Sequence, residues 1–504
     1  MIPLSGSENH PASTAQHRWL EMALRLFIVL FVLVFAAVAS KNHDILWTSA
    51  YDMGLFGQAF WLESRFLHDF NTIRGLHTLG DHLSLINYIF LPFNMIYFSV
   101  HWSLVGQAIS VGTGAFFCHK IARHFLPAHP ILSSALTLSY LLHPLVHNTL
   151  LWQYHEVAMA SGIYMFFIYS YLRQNFTSFA LAAILLLLCR EDMPLTLLAF
   201  AALPLWQRRW SYAIFLVVTA SAYWWFAFKV ALPFYNGVGY FRDVYGPVAT
   251  AKFNLTHLDI LLARLMSYDA WFYIYLVFAP LAAIAIAAPL YLMAALPALL
   301  FNIVVGGYYD QPAFHYSVNV MPFVYLAAIS ALGRFLATPS PQRAWPERVG
   351  SGLLLGLALF FYSQYSVMNL AQLPIHWQDW QKLAPLREEL QRIDQQIGAD
   401  GLAASDFLLP QMIKRQEVYL FPNPWKVHYW GIHGESPHHP NRVTWILVAP
   451  DFRSEHQKDL LDYLTENGYF TLVQSHEKFL LYHRQKRENE SRDEAIAAFR
   501  AYRP

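Results

Sequence analysis

One carboxylate, Asp52, stands alone in Tyr51-Asp52-Met53-Gly54-Leu55-Phe56-Gly57-Gln58-Ala59-Phe60-Trp61, directly after the first long apolar run. A charge among aromatic and small residues at a bilayer edge persists only beside water, a cation or a substrate. Such an acid can take the proton of a hydroxyl or amine acceptor as it attacks. The structural alternative is an N-cap for a helix over residues 55–67. Asp81-His82 offers a second acid and an imidazole able to bind an acceptor, a metal or a phosphate, with Asp81 equally suited to capping. In Arg190-Glu191-Asp192 a guanidinium that matches phosphate bidentately stands beside acids that can orient an acceptor; the alternative is a structural network among the three. Tyr308, Tyr309, His315 and Tyr316 add donors and stacking faces suited to a sugar or a lipid phosphate, although aromatics also belt every membrane interface.

Of the 504 residues, 56% are hydrophobic and only 13% charged, against about 25% charged in an ordinary soluble domain. This is the composition of a membrane chain. The net charge of +1 is dispersed rather than gathered in a basic stripe, so no nucleic-acid partner is implied. Cys118 and Cys189 lie inside apolar runs and read as core thiols, which leaves neither a disulfide frame nor a cysteine metal site. His143, His147 and His155 gather near one helix end, the first two at zinc-compatible spacing, but no His-Glu-x-x-His pattern accompanies them. No cofactor is called for by any motif, and a divalent metal is left open.

The elements that must position these groups are apolar runs at 22–39, 83–99, 103–119, 131–146, 157–172, 178–189, 193–206, 211–228, 271–288, 289–304, 316–336 and 351–368. Residues 1–20 are polar and loose, and 22–39 reads as a retained first helix rather than a signal core. Short cytoplasmic loops carry the excess of Lys and Arg. With a cytoplasmic N-terminus and 83–99 lying only partly in the outer leaflet, Lys120, Arg123, Arg173, Arg208, Arg209, Arg334, Arg343 and Arg348 all fall inside. Eleven spans result. The loop 40–82, the turn Trp152-Gln153-Tyr154-His155-Glu156, the Arg190-Glu191-Asp192 break, the loop 229–270 and residues 308–316 then share the outer face. At mid-bilayer each charge of that triplet would cost about 2.5–3.5 kcal/mol, so it belongs in a wet cavity or within protein.

From about residue 370 the composition becomes that of a small external α/β domain, 370–504. Residues 380–397 read as an amphipathic helix, 401–405, 417–421, 443–449 and 469–482 as strands, and 455–466 as a helix stopped by Asn467-Gly468. His428, His433, His438 and His439 read as solvated loop histidines, and the last 20 residues or so as an exposed helix or tail.

The set Tyr51-Asp52-Met53-Gly54-Leu55-Phe56, Gly80-Asp81-His82-Leu83-Ser84 before Leu91-Pro92, His155-Glu156, Arg190-Glu191-Asp192 and His315-Tyr316-Ser317 with Pro322 resembles the bacterial and archaeal membrane proteins grouped as domain of unknown function 2079. Ala404-Ser405, Pro410, Val418-Tyr419 and Phe421-Pro422 also look like that group, and the likeness runs over roughly residues 45–450. Where the group tends to show Asp-Phe-His-Pro, this chain has Tyr154-His155-Glu156-Val157, and it has His82-Leu83-Ser84-Leu85 in place of a His-x-Ser-Pro motif. The group in turn is similar to type C glycosyltransferases. That resemblance implies a multi-pass protein of the cell (inner) membrane with a GT-C-like domain over 21–369, and a sugar taken from a polyprenyl-phosphate donor. Asp52, with Asp81, would be the catalytic acid or acids, and Tyr51, His82, His155, Glu156, Arg190, Glu191, Asp192, His315 and Tyr316 would contact substrate.

The expectation is a membrane glycosyltransferase that moves a sugar from a lipid-phosphate donor to an acceptor at the outer face. The donor's phosphate would lie near Arg190 or Lys229, and the anomeric carbon would invert if one carboxylate meets the reacting centre. No nucleotide-binding glycine loop is present, in keeping with a lipid-linked donor. The alternative is a transporter or flippase, which would show internal repeats and paired broken helices at mid-membrane. A non-catalytic anchor for the outer domain would leave the acids and Arg190 unexplained.

Overall fold

The computed structural model describes residues 15–237, 258–337, 344–426, 435–436, 438–451 and 455–485. The tail beyond 485, His428, His433, Arg343 and much of the loop 229–270 lie outside the described residues.

The chain is a helical body carrying a small α/β domain. Its first helix, Ala15–Asp44, includes the apolar stretch from Arg18, 27 residues that extend about 40 Å at the helical rise, enough to cross a membrane. Trp210–Asn236 is also long and apolar enough. Several expected spans are broken into shorter helices. The run 131–146 stops at Leu142, because Pro144 begins a new helix, Pro144–Leu151, capped by His143. The run 271–288 ends at Phe278, followed by Ala282 and Ala283 in left-handed conformation. Residues 83–99 form only the short turns Leu85–Phe90 and Leu91–Ile96, too short for a crossing, as Pro92 and the two asparagines lead one to expect.

The His101–Phe125 helix is the hub, packed against Ala15–Asp44, Pro130–Leu142 and Ala160–Leu172. Without a hydrophobic drive between helices in lipid, close backbone approach at small residues supplies the packing. Gly162 meets the hub at Ser110, whose hydroxyl donates to Met159 O at 2.7 Å and accepts from Gly162 N at 3.1 Å. A Cβ on Gly162 would sit 2.5 Å from the Ser110 carbonyl oxygen.

In the C-terminal domain, strands β1 (Leu402–Ala404), β2 (Val418–Leu420), β3 (Trp445–Val448), β4 (Phe470–His476) and β5 (Phe479–Arg484) form a five-stranded sheet in the order β2-β1-β3-β5-β4. The first three are parallel, and β4 and β5 close as an antiparallel hairpin. Helices Leu373–Ile397 and Glu455–Glu466 flank it; the first three strands are shorter than expected, 469–482 divides into the two strands of a hairpin, and the helix expected at 380–397 begins at Leu373. This domain is not a separate bead. Leu386, Leu390, Leu409 and Ile413 share one buried core with Met53, Phe56 and Phe60 of the first loop. Gly54 and Gly57 permit the contact, since a Cβ there would run into Leu409 and Ile413. Gln58 donates to the Gln416 carbonyl at 3.1 Å, and Thr72 donates to Val418 O at 2.6 Å. Asp44 pairs with Arg387 at 2.9 Å.

Gly162→Ala is expected to destabilise the helical body by about 1–3 kcal/mol through overpacking. Gly352→Ala, where a Cβ meets nothing within 4 Å, serves as the control and should be neutral or slightly stabilising. Thermal unfolding of the two variants in detergent separates the outcomes.

Candidate active site

Residues Ala50–Gly54 make a single π-type turn that leads directly into the helix Leu55–Ser64. Asp52 lies inside this turn, and the following helix begins at Gly54 with no side-chain cap, so Asp52 does not serve as its N-cap. Other segments hold the turn. The Gln153 side-chain oxygen accepts from Ser49 N at 2.6 Å and Met53 N at 3.3 Å, and Asp406 Oδ1 accepts from Ala50 N at 2.9 Å. The Gln153 amide donates to Asp52 Oδ2 at 2.8 Å, and His155 Nε2 lies 3.1 Å from Asp52 Oδ1. His155 Nδ1 faces the Gln153 carbonyl at 3.1 Å, an acceptor only, so a hydrogen on Nδ1 serves that contact. Gln107 of the hub fixes the segment that carries Gln153 and His155 by donating to Thr149 O at 2.8 Å and accepting from His155 N at 3.2 Å.

The break between Phe176–Leu187 and Met193–Phe200 delivers its three charged residues to different neighbours. Arg190 grips Asp192 in a two-point bond, Nε to Oδ1 at 2.8 Å and an Nη to Oδ2 at 2.6 Å, and lies 3.8 Å from Glu156 Oε1. Glu191 points the other way, fully buried, and accepts from Leu83 N at 2.9 Å while pairing with His82 Nδ1 at 2.8 Å. Burial opposes a charge on His82, but the charge and hydrogen bond of Glu191, with Asp81 beyond, win and raise its pKa to about 9. Asp81 ends a one-turn helix and accepts from Arg74 Nε at 3.1 Å rather than capping the next segment; Arg74 also donates to Glu435 at 2.9 Å.

These groups line one cavity of about 960 Å³, at the upper end of the 300–1,000 Å³ of small-molecule sites. Of the residues singled out in the sequence, Tyr51, Asp52, Asp81, His82, His155, Glu156, Arg190, Asp192, His315 and Tyr316 all reach its wall. Glu191 does not: it was expected to contact substrate, but sits behind His82, because successive residues of a turn face different ways. Ser49, Arg74, Gln153, Asn319 and Asp406 also line it and were not anticipated. Leu195, Trp224, Phe228, Pro297 and Phe301 give the same cavity apolar lining. Trp224 and Phe228 continue into a smaller cavity of about 240 Å³ lined by Lys229. His155 and His315 stack with ring centres 3.6 Å apart. His143 and His147 do not form a common metal face, since His143 caps Leu145 N and His147 bonds Met368 O at 3.0 Å.

The family model described as predicted membrane protein (DUF2079) matches residues 42–481. The chain belongs to this family. No curated protein sequence matches this DUF2079 member. Among solved structures it is similar to ArnT from Cupriavidus metallidurans bound to undecaprenyl phosphate, with TM-score 0.53 and 12% identity over 90% of this chain and 97% of that one. The apo form of the same protein gives 0.52 at 12% identity and the same coverage. At that identity the likeness is one of fold.

The raised pKa of His82 fixes the sign of a pH dependence. Stability from the His82–Glu191 pair is complete below the unfolded value near 6.5 and is lost as pH rises through about 9. The melting temperature of the wild type should therefore fall across that window, and Glu191→Gln should flatten the fall. A slope unchanged in Glu191→Gln would deny the pairing.

Proposed function

We propose that this DUF2079 member is a membrane glycosyltransferase that moves a sugar from a polyprenyl-phosphate donor to an acceptor at the outer face of the membrane. The observation that carries this reading is the cavity lined together by Asp52 and Arg190, 138 positions apart in the chain, and by the apolar Leu195, Trp224, Phe228, Pro297 and Phe301. A lipid-linked sugar needs both surfaces at once. The fold shared with ArnT, whose structure holds undecaprenyl phosphate, supports the lipid-linked donor.

In this reading the polyprenyl tail follows Leu195, Trp224, Phe228 and Phe301. Its phosphate lies on the Arg190 side, with Lys229 along the approach. Asp192 takes the Nε hydrogen and one Nη hydrogen, which leaves three guanidinium N–H groups for phosphate oxygens. The acceptor's hydroxyl or amine is held by Asp52. Its heteroatom attacks the anomeric carbon, the bond from that carbon to the phosphate oxygen breaks, and the polyprenyl phosphate departs with the electron pair. Asp52 receives the acceptor's proton, and its contacts with His155 and Gln153 keep the carboxylate aimed. Because Asp52 is the acid placed on the attacking side, the anomeric centre inverts. Asp81, held by Arg74, shapes the neighbouring wall and completes the acid pair. The C-terminal domain, which supplies Asp406 and Phe407 to the cavity, lies on the same side as the site and therefore outside.

Asp52→Asn retains the shape and the Gln153 contact but cannot take a proton. Transfer from radiolabelled polyprenyl-phosphate sugars in membranes should fall about 10²–10⁴-fold in kcat with KM nearly constant. Undiminished transfer would remove Asp52 from the mechanism, while substrate flux without transfer would favour a transporter.

A further inference from the structure

Three residues that line the cavity each carry a buried polar atom without a hydrogen-bond partner: Glu156 Oε2, His315 Nδ1 and Asn319 Oδ1. Their residues are 1%, 4% and 7% exposed. An unmet buried acceptor costs about 1–3 kcal/mol, so three of them on one wall mark a place that a ligand completes. They come from three segments. Glu156 opens the turn after His155, His315 stands in the short turn His315–Ser317, and Asn319 follows just before the helix Met321–Phe335. The hydrogen-bonded neighbours hold them rigidly: Tyr273 is within 2.9 Å of the Ser317 hydroxyl, and Asn302 donates to the Tyr316 carbonyl at 2.9 Å. His315 is also sandwiched between His155 and Tyr316, with ring centres at 3.6 and 4.2 Å. The wall therefore offers fixed acceptors next to Asp52, through His155, and next to Arg190, through Glu156.

We infer that Glu156, His315 and Asn319 form the subsite that selects the transferred sugar, and that it takes a neutral, hydroxyl-rich pyranose rather than a uronic acid. This rests on the glycosyltransferase reading above and adds the class of sugar. Two oxygen acceptors call for O–H donors, which the C6 hydroxymethyl of a neutral hexose supplies and the C6 carboxylate of a uronic acid does not. Glu156 also repels an anionic substituent, while Asp192 already engages Arg190, the nearest cation that could compensate. The site that bonds a hydroxyl discriminates strongly against an analogue lacking it, because its own buried groups are then left unpaired.

The test uses the purified full-length protein in nanodiscs and two probes, undecaprenyl phosphate alone and undecaprenyl phosphate carrying glucose, galactose, mannose, N-acetylglucosamine or glucuronic acid. The wild type should bind one or more of the neutral donors at least tenfold more tightly than the glucuronosyl donor. Glu156→Gln and Asn319→Leu should each weaken the preferred donor about tenfold, while binding of the sugar-free lipid, which also reports on folding, stays the same. Equal affinity for neutral and glucuronosyl donors, or variants that bind the preferred donor as tightly as the wild type, would overturn the subsite. A wild type that binds no undecaprenyl phosphate in any form would overturn the glycosyltransferase reading itself, and the subsite with it.

Discussion

A charged side chain in a wall that is mostly hydrocarbon persists only if an opposite charge or a set of hydrogen bonds meets it, and that requirement arranges this molecule. Asp52 is met by Gln153 and His155, Arg190 by Asp192 and Glu156, His82 by Glu191, and Arg74 by Asp81 and Glu435. Most of these pairings join segments far apart in the chain. The cavity is thus the meeting point of separate stretches of sequence, each of which would be poorly placed alone. Breaking one partner of such a buried pair typically costs about 3–5 kcal/mol, so the walls of the cavity and the stability of the fold are one property.

The first outer loop and the C-terminal domain depend on each other in the same way. Small residues at Gly54 and Gly57 let Leu409 and Ile413 reach the backbone of the helix that follows Asp52. That approach brings Asp406 to the Ala50 amide, and Gln153 grips the same turn from the helical body. The turn that carries the acid is consequently clamped between the two parts of the protein. A catalytic group held within a few tenths of an ångström needs such support, and a π-type turn on an otherwise mobile loop would not provide it unaided.

Much of this was legible in the residues. A lone Asp between aromatics, an Arg-Glu-Asp break between two short apolar runs and a His-Tyr pair before a proline-started helix each violate the hydrophobic pattern, and such violations are expected where function or strain is concentrated. The C-terminal elements were legible because their periodicity switches sharply from helix to strand. What escaped was set by tertiary contact. Asp406 reaches Ala50 across 356 positions, and nothing in its own neighbourhood announces it. Gln153 and Asn319 carry neutral amides with no chemical signature, although Gln153 lies in the turn that the Trp152-to-Glu156 string marked. Glu191 was misjudged because a triplet read as one unit splits its side chains between two sides of a turn. The breaks at Pro144 and after Phe278 shortened expected spans, since apolar composition fixes burial more tightly than it fixes helix length.

The central claim is that one cavity receives the lipid phosphate beside Arg190 while Asp52 waits across the space that the sugar fills. A cryo-electron microscopy map of the full chain in nanodiscs saturated with undecaprenyl phosphate examines it most directly. Phosphate density in hydrogen-bond reach of Arg190, with the tail running along Trp224 and Phe228, is the predicted result. The lipid ordered at another surface while this cavity holds no phosphate would contradict it.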